Sequence, residues 1–464
     1  MSGEHEHGEY VKPNDLLHAH PDLIEQANNQ LVELGEVKNR VTALESSDTG
    51  QDQELTEANL AIEQIEEWIS DNEIPPPVEP PDEPVNDVVL VPDDYTDQFF
   101  IDNANDEPTF QFKPGIITKP ILALPDCHYR GETSIVSSDD EFTLPNGDVV
   151  VGRKVEQSLT KITDVTSIFK LQSTERIPGV TFEGFEITNC GNPGSQWYQK
   201  SAINLKLLTG ASLINNWIHD NHGTGVRVGK DCQVFGNLIH GMGHIGIGGL
   251  ASGIEVARNE WFNNAKAHNN WNWETGGSKV VLGNGVFHHN YAHDEIINFW
   301  SDINAYYNYD SNVGINARGP GMMIELTKPG STIEITNNLL RGNGRQGWGN
   351  LWEVMRAQLL IASAAGVRAH GNLLEQNGPG QYGVSIVEQR RKYNGVYYYN
   401  DDIAITGNTI RRFDSDRNRV GVYDDTGSKS ELDGFIRNYS RNWNNSNVDP
   451  SRRATFTLTP NVLE

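Results

Sequence analysis

Seven short stretches decide how this chain folds: NNWIHDN (Asn215–Asn221), GNLIHGM (Gly236–Met242), RNEWFNN (Arg258–Asn264), HNYAHDE (His289–Glu295), NNLLRGN (Asn337–Asn343), GNLLEQN (Gly371–Asn377) and GNTIRRF (Gly407–Phe413). Each places an Asn ahead of an apolar-rich run. Anchored on that position, the series reads Gly184, Asn216, Asn237, Asn259, Asn290, Asn312, Asn338, Asn372 and Asn408, at intervals of 32, 21, 22, 31, 22, 26, 34 and 36 residues. A base period near 22 that is lengthened by insertions describes one supersecondary unit repeated and stacked.

The physics of such a stack explains the residue choice. Short strands from successive turns pair in parallel at about 4.8 Å. The bend between two strands needs a left-handed backbone residue, which Asn or Gly tolerates. Stacked Asn side chains then hydrogen-bond from turn to turn. Alternating Ile, Leu and Val fill the interior. The expected fold is therefore all-β, a right-handed parallel β-helix over residues 113–426, irregular at first and regular from about Val180 to Thr426. In this reading the ladder Asn residues are scaffold.

The rest of the 464-residue chain differs in composition. Residues 1–110 hold 28 Asp and Glu against 3 Lys and Arg, leaving 35 and 33 beyond them, so the net charge of −27 belongs almost wholly to the front. Such acidity argues against nucleic-acid binding. Within residues 1–74, Leu23, Ala27, Leu34, Val37, Val41 and Leu44 keep heptad spacing with polar Gln30 on the seam. After a break at SSDTGQDQ the pattern resumes with Leu55, Ala58, Ile62, Ile65 and Ile69. A stripe this narrow suits an N-terminal α-helical coiled coil that oligomerises. PPPVEPPDEP (Pro75–Pro84) opens a proline-rich acidic linker over 75–112, and 427–464 is a loop-rich tail. The N-terminus lacks the apolar run of a secretory signal, and no stretch is long and apolar enough for a membrane span. Three cysteines, Cys127, Cys190 and Cys232, form no disulfide framework and no zinc pattern.

Chemistry is sought on the strand that precedes each anchor. Ten positions before the anchors stand Lys206, Arg227, Gly249 and Asp302. With insertions allowed for, Glu274 and Glu325 join the same column. These side chains are expected to form an exposed line of charge, since a buried unpaired carboxylate is costly. Carboxylates one turn apart would be about 5 Å apart and two turns apart about 10 Å, near the retaining and inverting separations of glycoside hydrolysis. Lys279 could hold an ionised partner or a sugar acid. Trp271, Trp273, Trp300, Trp348 and Trp352 cluster around the column and offer flat faces to pyranose rings. The opposing reading has the charges pairing among themselves and the indoles packing loops. HHNYAHDE does not have zinc spacing. No cofactor is required, and calcium is the ion that the Glu274, Asp302 and Glu325 oxygens would suit.

Three blocks, WNWETGGSK (Trp271–Lys279), NFWSDIN (Asn298–Asn304) and GMMIELT (Gly321–Thr327), resemble a family of right-handed parallel β-helix proteins within the broad pectate-lyase-like group. Glu325-Leu326-Thr327 departs from that pattern, which leads one to expect a nearby His. The resemblance implies action on polysaccharide, with Glu274, Lys279, Asp302 and Glu325 as site residues. The whole layout, an acidic front, heptads, a proline spacer and a β-helix, also looks like a bacteriophage tailspike or fibre. That resemblance implies a homotrimeric virion spike made without a leader. Its N-terminus would engage other tail proteins, and its β-helix would bind bacterial surface polysaccharide and hydrolyse it. Two alternatives stand beside it. One is a polysaccharide lyase whose base is Lys206, Arg227 or Lys279. The other is an adhesion spike without turnover.

Overall fold

The computed structural model describes residues 88–105, 107–172, 175–191, 201–266, 275–330, 332–345, 355–388, 391–393, 396–413, 432–433, 435–438, 456–458 and 460–464. The heptad segment lies outside them. Among the described strands every pairing is parallel except two, the hairpin of Ser134–Thr143 with Val149–Gln157 and a small one at Arg391–Tyr398. The body is a parallel β-helix, and each turn has three faces.

The first face carries Ile203–Asn204, Val226–Arg227 and the leading parts of three long strands, Ile247–Ala257, Ser278–His288 and Phe299–Asp310. It continues through Met322–Glu325, Ala357–Ala362 and Tyr382–Glu388. The long strands bend within themselves, where Leu282 and Gly283 on one and Ile303 and Asn304 on the next take positive φ. Their trailing halves form the second face with Ser212–Ile214, Gln233–Phe235, Ile333–Thr336, Ala365–His370 and Asp401–Thr406. The third face is a ladder of three-residue strands, among them Trp217–His219, Leu238–His240, Glu260–Phe262, Tyr291–His293 and Leu339–Arg341.

The corner between the second and third faces is where the repeat does its work. Asn216, Asn237, Asn259, Asn290, Asn312, Asn338, Asn372 and Asn408 are buried and joined in sequence. Each after Asn216 accepts at Oδ1 from the backbone N–H of the preceding Asn, as Asn290 does from Asn259 N at 3.1 Å. Each Nδ2 also donates onward, as Asn290 Nδ2 does to Asn312 Oδ1 at 2.9 Å. Asn312 is a true member of this row. The chain adds Asn461 at its far end, to which Asn408 N donates at 3.1 Å.

The left-handed residue is the one before the ladder Asn: Gly184, Asn215, Gly236, Arg258, His289, Ser311, Asn337, Gly371 and Gly407 all have positive φ. Gly184 is thus a bend residue and not a ladder anchor. Its neighbour Phe185 fills the ladder site, with its N–H donating to Asn216 Oδ1 at 3.0 Å. Inside, Ile187, Ile218, Ile239, Trp261, Ala292, Leu340 and Leu374 stack behind the third face, fully buried.

Two boundaries move. Val88–Val91 pairs in parallel with Thr109–Phe112, so the solenoid begins inside the stretch read as linker, capped by the short helix Asp97–Asp102. At the other end Phe435–Asn438, Phe456–Thr457 and Val462–Leu463 pair onto all three faces, so the described parts of the tail belong to the same body. The β-branched run near Val149 belongs to the antiparallel hairpin, which lies along the third face. Its Phe142 meets Tyr291 at 4.7 Å between ring centroids, and Asn146 Nδ2 donates to Ser311 Oγ at 3.1 Å.

Replacing Asn290 by Ala removes the acceptor of two Asn259 donors and the donor to Val256 O. Buried groups left unsatisfied each cost about 1–3 kcal/mol. The variant is expected to lose on the order of 3 kcal/mol in urea unfolding, and an unshifted midpoint would mean that the ladder contributes nothing net.

Candidate functional site

The second corner, between the third face and the next first face, has its own left-handed column: Asn189, Asp220, Gly241, Asn263, Asp294, Asn316 and Gly342. Three long intervals of the repeat are inserted just after it, between Gly191 and Ser201, Lys266 and Thr275, and Arg345 and Met355. Trp271, Trp273, Glu274, Trp348 and Trp352 belong to the latter two and lie outside the described residues.

The outward side of the first face holds the remaining candidates. Arg227 pairs in register with Gly248, and Gly248 with Lys279, so these form one column. Asp302 stands in the next outward column, opposite Val281, and the register of Ser301 with Ile324 continues to bring Glu325 alongside it. The expected single column of Lys206, Arg227, Gly249 and Asp302 is therefore not formed. Counting back from the ladder ignores the different lengths of the bends, which shifts Asp302 by two residues against Arg227. Lys206 sits exposed in the turn after Ile203–Asn204, where its N–H donates to Asn204 Oδ1 at 3.1 Å.

The charges do point outward, but they are not a solvated line. Lys279, Asp302 and Glu325 are 4%, 6% and 3% exposed. Lys279 Nζ is 2.9 Å from Asp302 Oδ2 and 3.6 Å from the centre of the Trp300 ring. Trp300 belongs to a second apolar cluster outside the solenoid core, with Met323, Leu360, Ala362 and Val387 from the following turns. An ammonium lying over an indole with a carboxylate at its side is a cation held from two directions. Two polar atoms remain over. Asp302 Oδ1 and Trp300 Nε1 are buried without a hydrogen-bond partner. One is an acceptor and the other a donor, and each carries a desolvation cost that a ligand hydroxyl could relieve.

The sequence reading also missed two arrangements. The first is an inner ladder at the seventh position of the quoted stretches. Asn221 accepts from Cys190 N, Asn264 from Met242 N, and Asn343 from Ala317 N. In the fourth stretch that position is Glu295, which accepts from Asn264 N and, at 2.6 Å, from Asn264 Nδ2. Burial pushes its carboxyl up to about 8. Gln358 plays the same part for Asn343.

The second missed arrangement is a row of stacked rings on the outer side of the third face: His219, His240, Phe262 and His293 at centroid spacings of 5.4, 4.7 and 4.7 Å. His219 and His293 each lie between two carboxylates, Glu186 with Asp220 and Glu260 with Asp294. The two flanking carboxylates hold His293 above its ordinary value against the opposing effect of burial, whereas burial first and His219 second pull His240 down to about 4. The recurring third residue of the strand, His-His-Phe-His, was the signal. Among the described residues no group of three His, Cys, Asp or Glu is placed to hold a metal ion.

No family model matches the chain, and no curated protein does. Among solved structures it is similar to the Dettilon tailspike protein, at 12% identity and TM-score 0.42 over 70% of this chain and 61% of that one. It is similar to the A-module of a mannuronan C-5 epimerase of Azotobacter vinelandii, at 10% and 0.40 over 74% and 92%. A third is the catalytic unit of a thermostable α-1,3-glucanase of Streptomyces thermodiastaticus, at 12% and 0.42 over 79% and 65%. The chain spans less than two thirds of the length of the tailspike and the glucanase.

Two outcomes follow from the buried groups. Lys279→Met strands the Asp302 carboxylate and is expected to cost about 3–5 kcal/mol, with much of the loss recovered when Asp302→Leu is added. Equal instability of single and double variants would deny the pair its coupling. For Glu295 the folded chain keeps its proton to about pH 8, whereas the unfolded chain releases it near the ordinary carboxylate value. Stability relative to Glu295→Gln should thus fall as pH rises between those two values and level off above. A difference in melting temperature that is constant across that range would contradict this.

Proposed function

We propose that this chain is a virion spike whose β-helix binds a bacterial surface polysaccharide and hydrolyses it at the outward side of the first face. The observation that carries the reading is the Lys279–Asp302 pair seated against Trp300, with an acceptor and a donor left over. An ion pair buried on the outer side of a solenoid, against an indole and beside two unsatisfied polar atoms, is an arrangement that supports a site. Asp302 and Glu325 face outward from adjacent turns, about 4.8 Å apart by strand spacing, which suits the two carboxyl groups of a retaining mechanism. One would protonate the leaving oxygen while the other attacks the anomeric carbon. Asp302 is the carboxylate paired with the Lys279 ammonium, and the proposal therefore assigns attack to Asp302 and proton donation to Glu325.

The insertions bearing Trp271, Trp273, Glu274, Trp348 and Trp352 enter at the corner that leads onto this face, and in this proposal they supply the sugar-stacking surface. Lys279 is an unsuitable lyase base, since its ammonium is committed to Asp302 at 2.9 Å. The acidic heptad segment would make the spike a trimer and its N-terminus the attachment to other tail proteins.

The test is incubation of the full chain with purified surface polysaccharide followed by product sizing. Shortened chains with no new ultraviolet absorbance are expected from the wild type, and a loss of at least about 100-fold in rate from Asp302→Asn or Glu325→Gln. Unsaturated products would make the protein a lyase. Glycan bound but never shortened would leave an adhesion spike. Light scattering should give three times the 51.6 kDa chain mass, and a monomer would remove the trimer from the proposal.

A further inference from the structure

The hairpin of Ser134–Thr143 and Val149–Gln157 reaches along the third face, and its tip ends in a chain of four titratable groups. Glu255 Oε1 is 2.9 Å from His288 Nε2, His288 Nδ1 is 3.1 Å from His289 Nδ1, and His289 Nε2 is 3.3 Å from Asp148 Oδ2. Glu255 and the two imidazoles belong to the solenoid, and Asp148 belongs to the hairpin. We propose that this relay is a proton-counting latch, which holds the hairpin over the apolar third face only while the two imidazoles share three N–H protons between them.

The count follows from the contacts. Each carboxylate accepts only, so the hydrogen bond to Glu255 makes His288 Nε2 an N–H donor, and the ion-pair contact with Asp148 at 3.3 Å favours a proton on His289 Nε2. The two Nδ1 atoms face each other, so one donates and the other accepts. Three protons on four ring nitrogens satisfy both hydrogen bonds and the ion-pair contact, and the pair carries one positive charge between two carboxylates. With a fourth proton the two Nδ1–H groups oppose each other and the rings must part. With only two protons one Nε2 lone pair faces a carboxylate. The tip is the partner that leaves, because Glu255 is fixed on its strand and also accepts from Gln233 Nε2 at 3.1 Å.

The other groups facing this point are Arg258 from the preceding turn and Asp310 from the next, and His289 lies below its ordinary value through burial first and His288 second. Asp148 is further steadied by Asn146 Nδ2 at 2.7 Å and Ser311 Oγ at 3.4 Å. What the latch covers is specific. Phe142, Leu144 and Val150 of the hairpin pack on Tyr291, Val313, Ile315 and Leu339 of the third face. Farther along, Arg153 N donates to Glu260 Oε2, which gives the docked state a backbone amide of its own.

Amide hydrogen exchange of the full chain, corrected for the intrinsic effect of pH, tests this. Protection of the hairpin amides and of Arg153 is expected to peak at intermediate pH and to fall roughly tenfold on either side, since a charge-assisted bond is lost each way. In Asp148→Asn the new amide can donate to an unprotonated His289 Nε2, so the alkaline fall should vanish while the acid fall remains. In the His288→Gln, His289→Gln double variant both should vanish. Protection of the Asn259 and Asn290 amides reports that each variant is folded. A monotonic wild-type profile, an alkaline fall that persists in Asp148→Asn, or a double variant with the wild-type profile would each overturn the latch.

Discussion

Every part of this solenoid depends on one constraint: the backbone must turn the same corner, in the same register, on each of its coils. A strand pair can slip by one residue and reverse every side chain. The row of buried Asn residues forbids that slip, because each amide engages the coil before it and the coil after it, as Asn290 does with Asn259 and Asn312. The bend residue beside it lets the chain reach the next face, with Gly236 where a Cβ would run into Asn215 and Arg258 or His289 where a side chain has room. Insertions are then confined to places where the ladder is not interrupted, which is why the intervals range from 21 to 36 residues while the ladder stays continuous.

That division accounts for what could be read from the sequence. The ladder is local and recurs with a fixed signature, so the fold and eight of nine anchors were legible. Gly184 was misassigned because bend and ladder residues are neighbours and both favour Asn or Gly. The inner ladder was not seen because its members vary, with Cys190, Met242, Glu295 and Ala317 standing among the amides, and only backbone geometry unites them. The candidate site was legible in its residue types but not in its register. Lys279, Trp300, Asp302 and Glu325 do meet on one face, yet the bends that separate that face from the ladder differ in length between coils. Counting ten residues back therefore reached Arg227 and Asp302 in different columns. Exposure was missed for another reason: a second apolar cluster covers the outward side of this face, and a strand's own alternation does not report it.

The two outward surfaces use charge in opposite ways. On the first face one cation and its carboxylate are almost fully withdrawn from water, where their attraction is strong and their isolation costly. On the third face the carboxylates Glu186 and Glu260 are buried too, but each is met by a histidine whose far nitrogen reaches a second, half-exposed acid. The first arrangement holds a fixed charge against an indole. The second couples the surface to solvent protons, and the relay at the hairpin tip extends that coupling to a piece of chain that lies across the solenoid.

Glu295 shows why such groups are not mere substitutes for Asn. Gln358 demonstrates that an amide of the same length fits an inner-ladder position and makes the same pair of bonds to an Asn. A carboxyl in its place makes those bonds at the cost of a buried ionisable group, and burial keeps it protonated to about pH 8. It stands one residue beyond Asp294 and two beyond His293, at the corner between the ring row and the insertion after Lys266. A ladder that needed only stability would hold Gln there. Retaining the acid makes the ladder weaken as pH rises, at the corner where the third face hands the chain to the strand that carries Trp300 and Asp302.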